Sequence, residues 1–277
     1  MPILSHAHHD HFDEYGYVVV ENAVPLDLCE AVVEAIWAFM EMNPNDPDDW
    51  YRLPHEPPEQ PGVGMVSMYW HQSMWNVIQH PRVHQIYSEV YGTDRLWVHI
   101  DRVNMKPPRH PDYREWVRGT GYHWDADTSK LPLPFGTQGV LYLTDTAADQ
   151  GSFVCWPGAH KSLIDNENPR LPELTLDKFV PIPANAGSML IWHQALPHGN
   201  GANNSDKPRF AQYMNYYPAP NPMNEKRREE RITLWKERRA LGEGPYTRDP
   251  RGWEAANYGP PELTGLGRRL LGLDLWD

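Results

Sequence analysis

Tyr122-His123-Trp124-Asp125 is the stretch on which both the chemistry and the fold of this chain turn. On extended backbone, side chains i and i+2 point the same way, so His123 and Asp125 face one side and Trp124 the other. An imidazole and a carboxylate aimed at one point can share a metal ion. A third donor has to come from a distant part of the chain. His198 follows the apolar run 188–192 and a turn at Pro197, and Arg209 lies eleven residues beyond it. Two His and one carboxylate, with open positions left on the metal, are the facial triad of non-heme Fe(II) oxygenases. Arg209 adds a planar guanidinium that can hold a carboxylate by two parallel bonds. Two other donors compete for the same roles: Asp127 with Asp125, and His193 with His198.

The surroundings read as short strands at 95–105, 139–144, 151–156, 179–182, 188–192 and 209–217, separated by Gly, Pro, Asn or Asp. That is the rhythm of an antiparallel sandwich or barrel. Before it, Tyr-Gly-Tyr-Val-Val-Val within 15–21 is aromatic and β-branched and predicts a further strand. Pro25 then opens a helix whose apolar face is Leu28, Val32, Ala35, Ile36 and Phe39, and Asn43-Pro44 ends it. Residues 44–64, crowded with Pro, Asp and Glu, predict a long surface loop. A helical pattern over 70–91, broken at Pro81 and stopped by Gly92, follows. Beyond 221 a charge-rich helix over 225–240 presents a solvated face, and Trp253, Leu266, Leu270, Leu271 and Trp276 suggest a tail that packs back onto the body. The simplest organisation is one domain over 1–277. It comprises an N-terminal strand and helices (1–94), a β core (95–220) and a helical extension (221–277).

Composition excludes several classes. A formal net charge of −12 disfavours a nucleic-acid binder or a protein of anionic membranes, which needs a basic surface. No apolar run reaches the roughly 18 residues of a membrane span. The start of the chain lacks the basic and apolar regions of a secretory signal, so a cytoplasmic protein acting on a small molecule is expected. Cys29 and Cys155, the only two cysteines, make neither a disulfide framework nor a thiolate metal site and are expected as small buried hydrophobes. The tract His6, His8, His9 and His11 reads as a solvated or locally packed tail.

The ordered motifs resemble the phytanoyl-CoA dioxygenase family of Fe(II)/2-oxoglutarate oxygenases. The resemblance is carried by Phe12-Asp13-Glu14-Tyr15-Gly16-Tyr17-Val18-Val19, Asn104-Met105-Lys106-Pro107 and His123-Trp124-Asp125. It continues through Asp149-Gln150-Gly151-Ser152, Trp156-Pro157-Gly158-Ala159-His160-Lys161, His198 with Arg209, and the tail from Gly265 to Asp274. It spans nearly the whole chain. It implies a mainly β fold with flanking helices, a double-stranded β-helix or cupin-like jelly roll. It further implies Fe(II) on His123, Asp125 and His198, with 2-oxoglutarate and O2 as cosubstrates and Arg209 on the distal carboxylate of 2-oxoglutarate. Lys106 and Asn200 are implied as further 2-oxoglutarate contacts. The family spacing to Arg209 favours His198 over His193, and His-x-Asp favours Asp125 over Asp127. A carboxylate at 125 favours hydroxylation, or another oxidative outcome such as desaturation, demethylation or ring formation, over halogenation, whose enzymes carry a small residue there.

Trp124 departs from the resemblance, since relatives commonly carry Gln between the His and Asp, and a bulky ring there is expected to reshape the pocket. Trp50, Trp70, Trp116 and Trp124 are candidates for a pocket wall. His160 reads as structural, as do His99 and His110. Two other classes stand beside this reading: a jelly-roll metalloenzyme that does not use 2-oxoglutarate, and a non-catalytic metabolite-binding protein on the same scaffold.

Overall fold

Alternate residues of the same strands point into two different cores, and this alternation builds the molecule. The structure is a computed structural model describing residues 2–52, 64–113, 121–127, 132–161, 176–240 and 249–276. Its largest sheet has six antiparallel strands in the order β1 (Tyr17–Val20), β8 (Met189–His193), β5 (Thr137–Tyr142), β10 (Arg209–Tyr213), β4 (Val103–Lys106) and β2 (Met65–Val66). A three-stranded sheet runs β7 (Val180–Ile182), β6 (Phe153–Cys155), β9 (His198–Asn200). A third pair joins β11 (Tyr216–Pro218) to β3 (Leu96–Val98).

One face of the large sheet offers Val18, Val20, Val103, Met105, Leu141 and Ile191 to a core shared with helices. Those helices are α2 (Leu26–Met40), α3 (Gln72–Ile78), α4 (Pro81–Tyr91) and α7 (Gly265–Leu271). The other face sends Val140, Tyr142, Leu190 and Trp192 against Phe153, Cys155 and Ile182 of the small sheet. Two layers of strands with helices on the outer side give the expected mainly β, cupin-like jelly-roll architecture.

Local structure departs from the sequence reading in places. Residues 95–105 and 209–217 each divide into two strands that enter different sheets. The His-rich start is helical: α1 (His6–Tyr15) is capped by Ser5, whose hydroxyl accepts from His8 N at 3.3 Å while His8 Nδ1 accepts from Ser5 N at 3.1 Å. The imidazole takes the part that Glu plays in an ordinary capping box. Gly16 ends this helix at φ 80°, in the left-handed region where a side chain would also meet His160, so both residues serve packing here. Of the long loop, Pro47–Tyr51 forms a 3-10 turn and residues 53–63 lie outside the described part.

The C-terminal segment packs back as anticipated, with Leu270 and Leu271 fully buried. The solvated reading of the charged helix α5 (Glu225–Glu237) needs one correction. Arg231 is 3% exposed and donates to the carbonyls of Val98, Leu270 and Leu271, closing the end of α7. Both cysteines are buried and free. Among the described residues no helix is long and apolar enough to cross a membrane.

Candidate metal centre

His123, Asp125 and His198 meet at the open end between the two sheets, with their donor atoms all within 4.8 Å of one another. The meeting is enforced by backbone. His123 and His198 form an isolated antiparallel bridge: His123 N donates to His198 O at 2.9 Å and His198 N to His123 O at 3.0 Å. His198, beyond the turn at Pro197, starts β9, opposite Cys155. Its ring lies between Phe153, at 5.6 Å, and Trp192, at 5.0 Å.

Each imidazole is held by its second nitrogen. His123 Nδ1 lies 2.7 Å from Gly121 O and His198 Nδ1 2.9 Å from Leu196 O. A carbonyl can only accept, so both Nδ1 atoms carry a proton, and both Nε2 atoms are turned towards Asp125, where a metal would take the place of their proton. His123 Nε2 sits 3.3 Å from Asp125 Oδ1, and His198 Nε2 sits 3.4 Å from Oδ2. Burial alone would raise the Asp125 carboxyl, but hydrogen bonds from His123, His198 and Gln138 outweigh it and hold the group well below the usual carboxylate range. An ionised carboxylate and two imidazoles that present Nε2 fit a divalent iron ion, which binds the neutral form of each ring.

A cavity of about 250 Å3 opens above this cluster. Val140, Phe153 and Trp192 form an apolar wall, while Gln138, Asn200 and Tyr213 bring polar groups. Arg102 and Asn215 stand among its remaining lining residues. The expected anchor for 2-oxoglutarate does not line this space. Arg209 and Lys106 are Cα partners on β10 and β4, 1% and 0% exposed. Their side chains share the inner face with Asn104, whose Oδ1 accepts from Arg209 Nη1 at 2.9 Å. Lys106 Nζ donates to Gly201 O at 2.8 Å. Burial, then the charges of Arg209 and Arg109, pull the Lys106 ammonium down to about 7.

Among the described residues no carboxylate pairs with Arg209, and its buried Nε has no hydrogen-bond partner. A buried guanidinium with an orphaned donor is costly unless an anion completes it. The distal carboxylate of 2-oxoglutarate fits that need.

The competing donors are elsewhere. Asp127 is outside the cluster. His193 turns towards Phe12, Phe135 and His160, and its Nδ1 accepts from Ala195 N at 3.0 Å. The indole of Trp124 donates to Ala195 O at 3.0 Å and does not line the cavity, so it does not reshape the pocket as expected. Trp70 is core, stacked on Trp75, and Trp50 packs on Trp37. Trp116 lies outside the described residues. The tryptophan in the wall is Trp192. Gln138, Phe153, Trp192 and Tyr213 were not singled out in the sequence.

Known proteins agree with this architecture. The chain is 23% identical over 217 residues to the dioxygenase olcK of Penicillium canescens, covering 75% of this chain and 68% of that protein. The epimerase SnoN, solved with Fe3+, alpha ketoglutarate and nogalamycin RO, superposes with a TM-score of 0.58 at 20% identity over 94% of this chain and 95% of its own. EvdO2 from Micromonospora carbonacea var. aurantiaca, complexed with 2-oxoglutarate, gives a TM-score of 0.55 at 16% identity, covering 80% of this chain and 97% of its own. At such identities the superpositions speak to the fold. The family assignment comes from the sequence, because residues 12–211 match the model of the family described as Phytanoyl-CoA dioxygenase (PhyH). With most of its length so matched, the chain belongs to the phytanoyl-CoA dioxygenase family of Fe(II)- and 2-oxoglutarate-dependent oxygenases.

Proposed function

We propose that this dioxygenase hydroxylates an unactivated C–H bond of a small or medium-sized metabolite, converting 2-oxoglutarate and O2 to succinate and CO2. The observation that carries the reading is the His123–Asp125–His198 cluster in the lining of a cavity of about 250 Å3. His123, Asp125 and His198 are the residues to hold iron, and Arg209 is the residue to bind the far carboxylate of 2-oxoglutarate, with Asn104 fixing the guanidinium plane. Lys106 and Asn200 are further contacts for the same cosubstrate. When bound, iron and 2-oxoglutarate supply the oxidising power; the protein positions and shields. Val140, Phe153 and Trp192 keep water from one side of the reacting centre, while Tyr213 and Asn215 offer hydrogen bonds that orient a polar substrate. No side chain is needed as a separate acid or base.

The mixed apolar and polar lining, and its modest volume, favour a compact metabolite over a bulky acyl thioester. The orphaned Arg209 Nε argues against a metalloenzyme that does without 2-oxoglutarate. The test is a screen for substrate-linked succinate release by the Fe(II)-loaded protein against small metabolites. One class of substrate should release succinate in equal amount to hydroxylated product, and Asp125→Ala should release none; full turnover by that variant would refute the proposed ligand set.

A further inference from the structure

A single cross-strand pair touches two of the three candidate ligands, which reach the site on separate segments. Gln138 on β5 and Trp192 on β8 are directly opposed in an antiparallel ladder, so both side chains rise from the same face. Gln138 Nε2 donates to Asp125 Oδ2 at 2.6 Å, and Trp192 Nε1 donates to Gln138 Oε1 at 3.0 Å. The Trp192 ring also packs on His198, 5.0 Å between centroids, and on Phe153 at 4.5 Å.

Chemistry fixes the direction of this chain of bonds. An indole N–H can only donate, so the Gln138 amide must turn its oxygen to Trp192. Its NH2 is then left facing Asp125, which as a carboxylate can only accept. Flipping the amide would break both bonds at once. Each oxygen faces one imidazole, Oδ1 at 3.3 Å from His123 Nε2 and Oδ2 at 3.4 Å from His198 Nε2, but only Oδ2 carries the bond from the amide.

We infer that Gln138, oriented by Trp192, is a positioning residue that occupies one oxygen of Asp125 and so presents this carboxylate to the metal through the other. The inference rests on the metal reading above. Its consequence is a coordination count. Two imidazoles and a one-oxygen carboxylate leave three positions of an octahedral ion for a two-point chelate and O2. A carboxylate binding through both oxygens would remove one of them.

Co(II) titration of the metal-free protein, followed by calorimetry and by visible absorption, tests this without any substrate. Gln138→Leu should bind Co(II) roughly 10- to 100-fold more weakly, the usual effect of losing a partner of a metal ligand. Its Co(II) spectrum should change as the carboxylate is released. Gln138→Glu keeps the length and the bond from Trp192 but turns an acceptor towards Asp125; it should bind no better than Gln138→Leu. This variant also carries the test if the leucine variant fails to fold. Trp192→Phe keeps a ring on His198, loses the N–H and should weaken binding less. The double variant Gln138→Leu/Trp192→Phe should be no weaker than Gln138→Leu with a full-size side chain at 192, because the indole N–H acts only through the amide. Wild-type affinity and spectrum in both Gln138 variants would overturn the inference, as would full additivity in the double variant. Failure of the wild-type chain to bind Co(II) would instead overturn the metal reading itself.

Discussion

The two faces of the six-stranded sheet are made from alternate residues of the same strands, yet they do opposite work. On the helix side β4, β5, β8 and β10 contribute Val103, Met105, Leu141, Met189, Ile191 and Phe210, all apolar and buried. On the inner side the same strands set Asn104, Lys106, Gln138, Arg209 and Tyr213, two of them cationic, beside the apolar Val140, Leu190 and Trp192. Burying Lys106 and Arg209 costs free energy that the helix-side packing offsets. A period of two lets one strand serve both ends, so chemistry can be added to one face without loosening the other.

The sharpest way to break that contrast is to change one residue on each face. Arg209→Ala should weaken 2-oxoglutarate binding to the metal-loaded protein by about 3–5 kcal/mol, the cost of removing one partner of a buried ion pair, as read by calorimetry. If affinity is unchanged, the inner face does not hold the cosubstrate as described. Lys106 gives a pH test of the same face. Its ammonium sits at about 7 in the folded chain against an ordinary 10.5, so between those values the unfolded chain holds more protons. Stability of the metal-free wild type should therefore rise with pH through that window, by up to about 1.4 kcal/mol per pH unit, relative to Lys106→Met. Below the window the penalty for the buried charge is present in full; parallel denaturation profiles for the two proteins would rule it out.

On the helix side, Ile191→Val should lower stability by about 0.5–1.5 kcal/mol in denaturant and leave 2-oxoglutarate affinity alone. A change in affinity would show that the faces are coupled. An effect of similar size is expected at Trp124, whose indole donates to Ala195 O. Trp124→Phe should cost about 1 kcal/mol of stability, one hydrogen bond's worth, with metal binding intact. Loss of metal binding there would put Trp124 back at the centre.

These faces also show how far residues alone reveal the site. His-x-Asp, with a distant His and its following Arg, offered the cluster beside the rivals Asp127 and His193, and the family resemblance chose Asp125 and His198 among them. The alternation of side chains on extended backbone also predicted that Trp124 turns away from the metal, but not what it would find. Its partner, Ala195 O, depends on how the turn before β9 folds back. Gln138 was invisible for a similar reason: a lone amide in a strand looks like an interruption until the register with Trp192 and the position of Asp125 are known. The split of 95–105 and 209–217 into strands of different sheets is likewise tertiary, as both stretches read as continuous β pattern. The helix α1 was missed because histidine has no strong helical preference, and it is the Ser5 cap that selects it.

The ligands His123, Asp125 and His198 beside the small sheet, and Arg209 on the large one, are proposed to form a metal site and a 2-oxoglutarate site that work together. Anaerobic calorimetry of 2-oxoglutarate binding, with and without Fe(II), tests it most directly on the wild type and Asp125→Ala. Binding should be strong with Fe(II), much weaker without it, and insensitive to Fe(II) in Asp125→Ala. Equal binding in all four conditions, or none in any, would contradict the account.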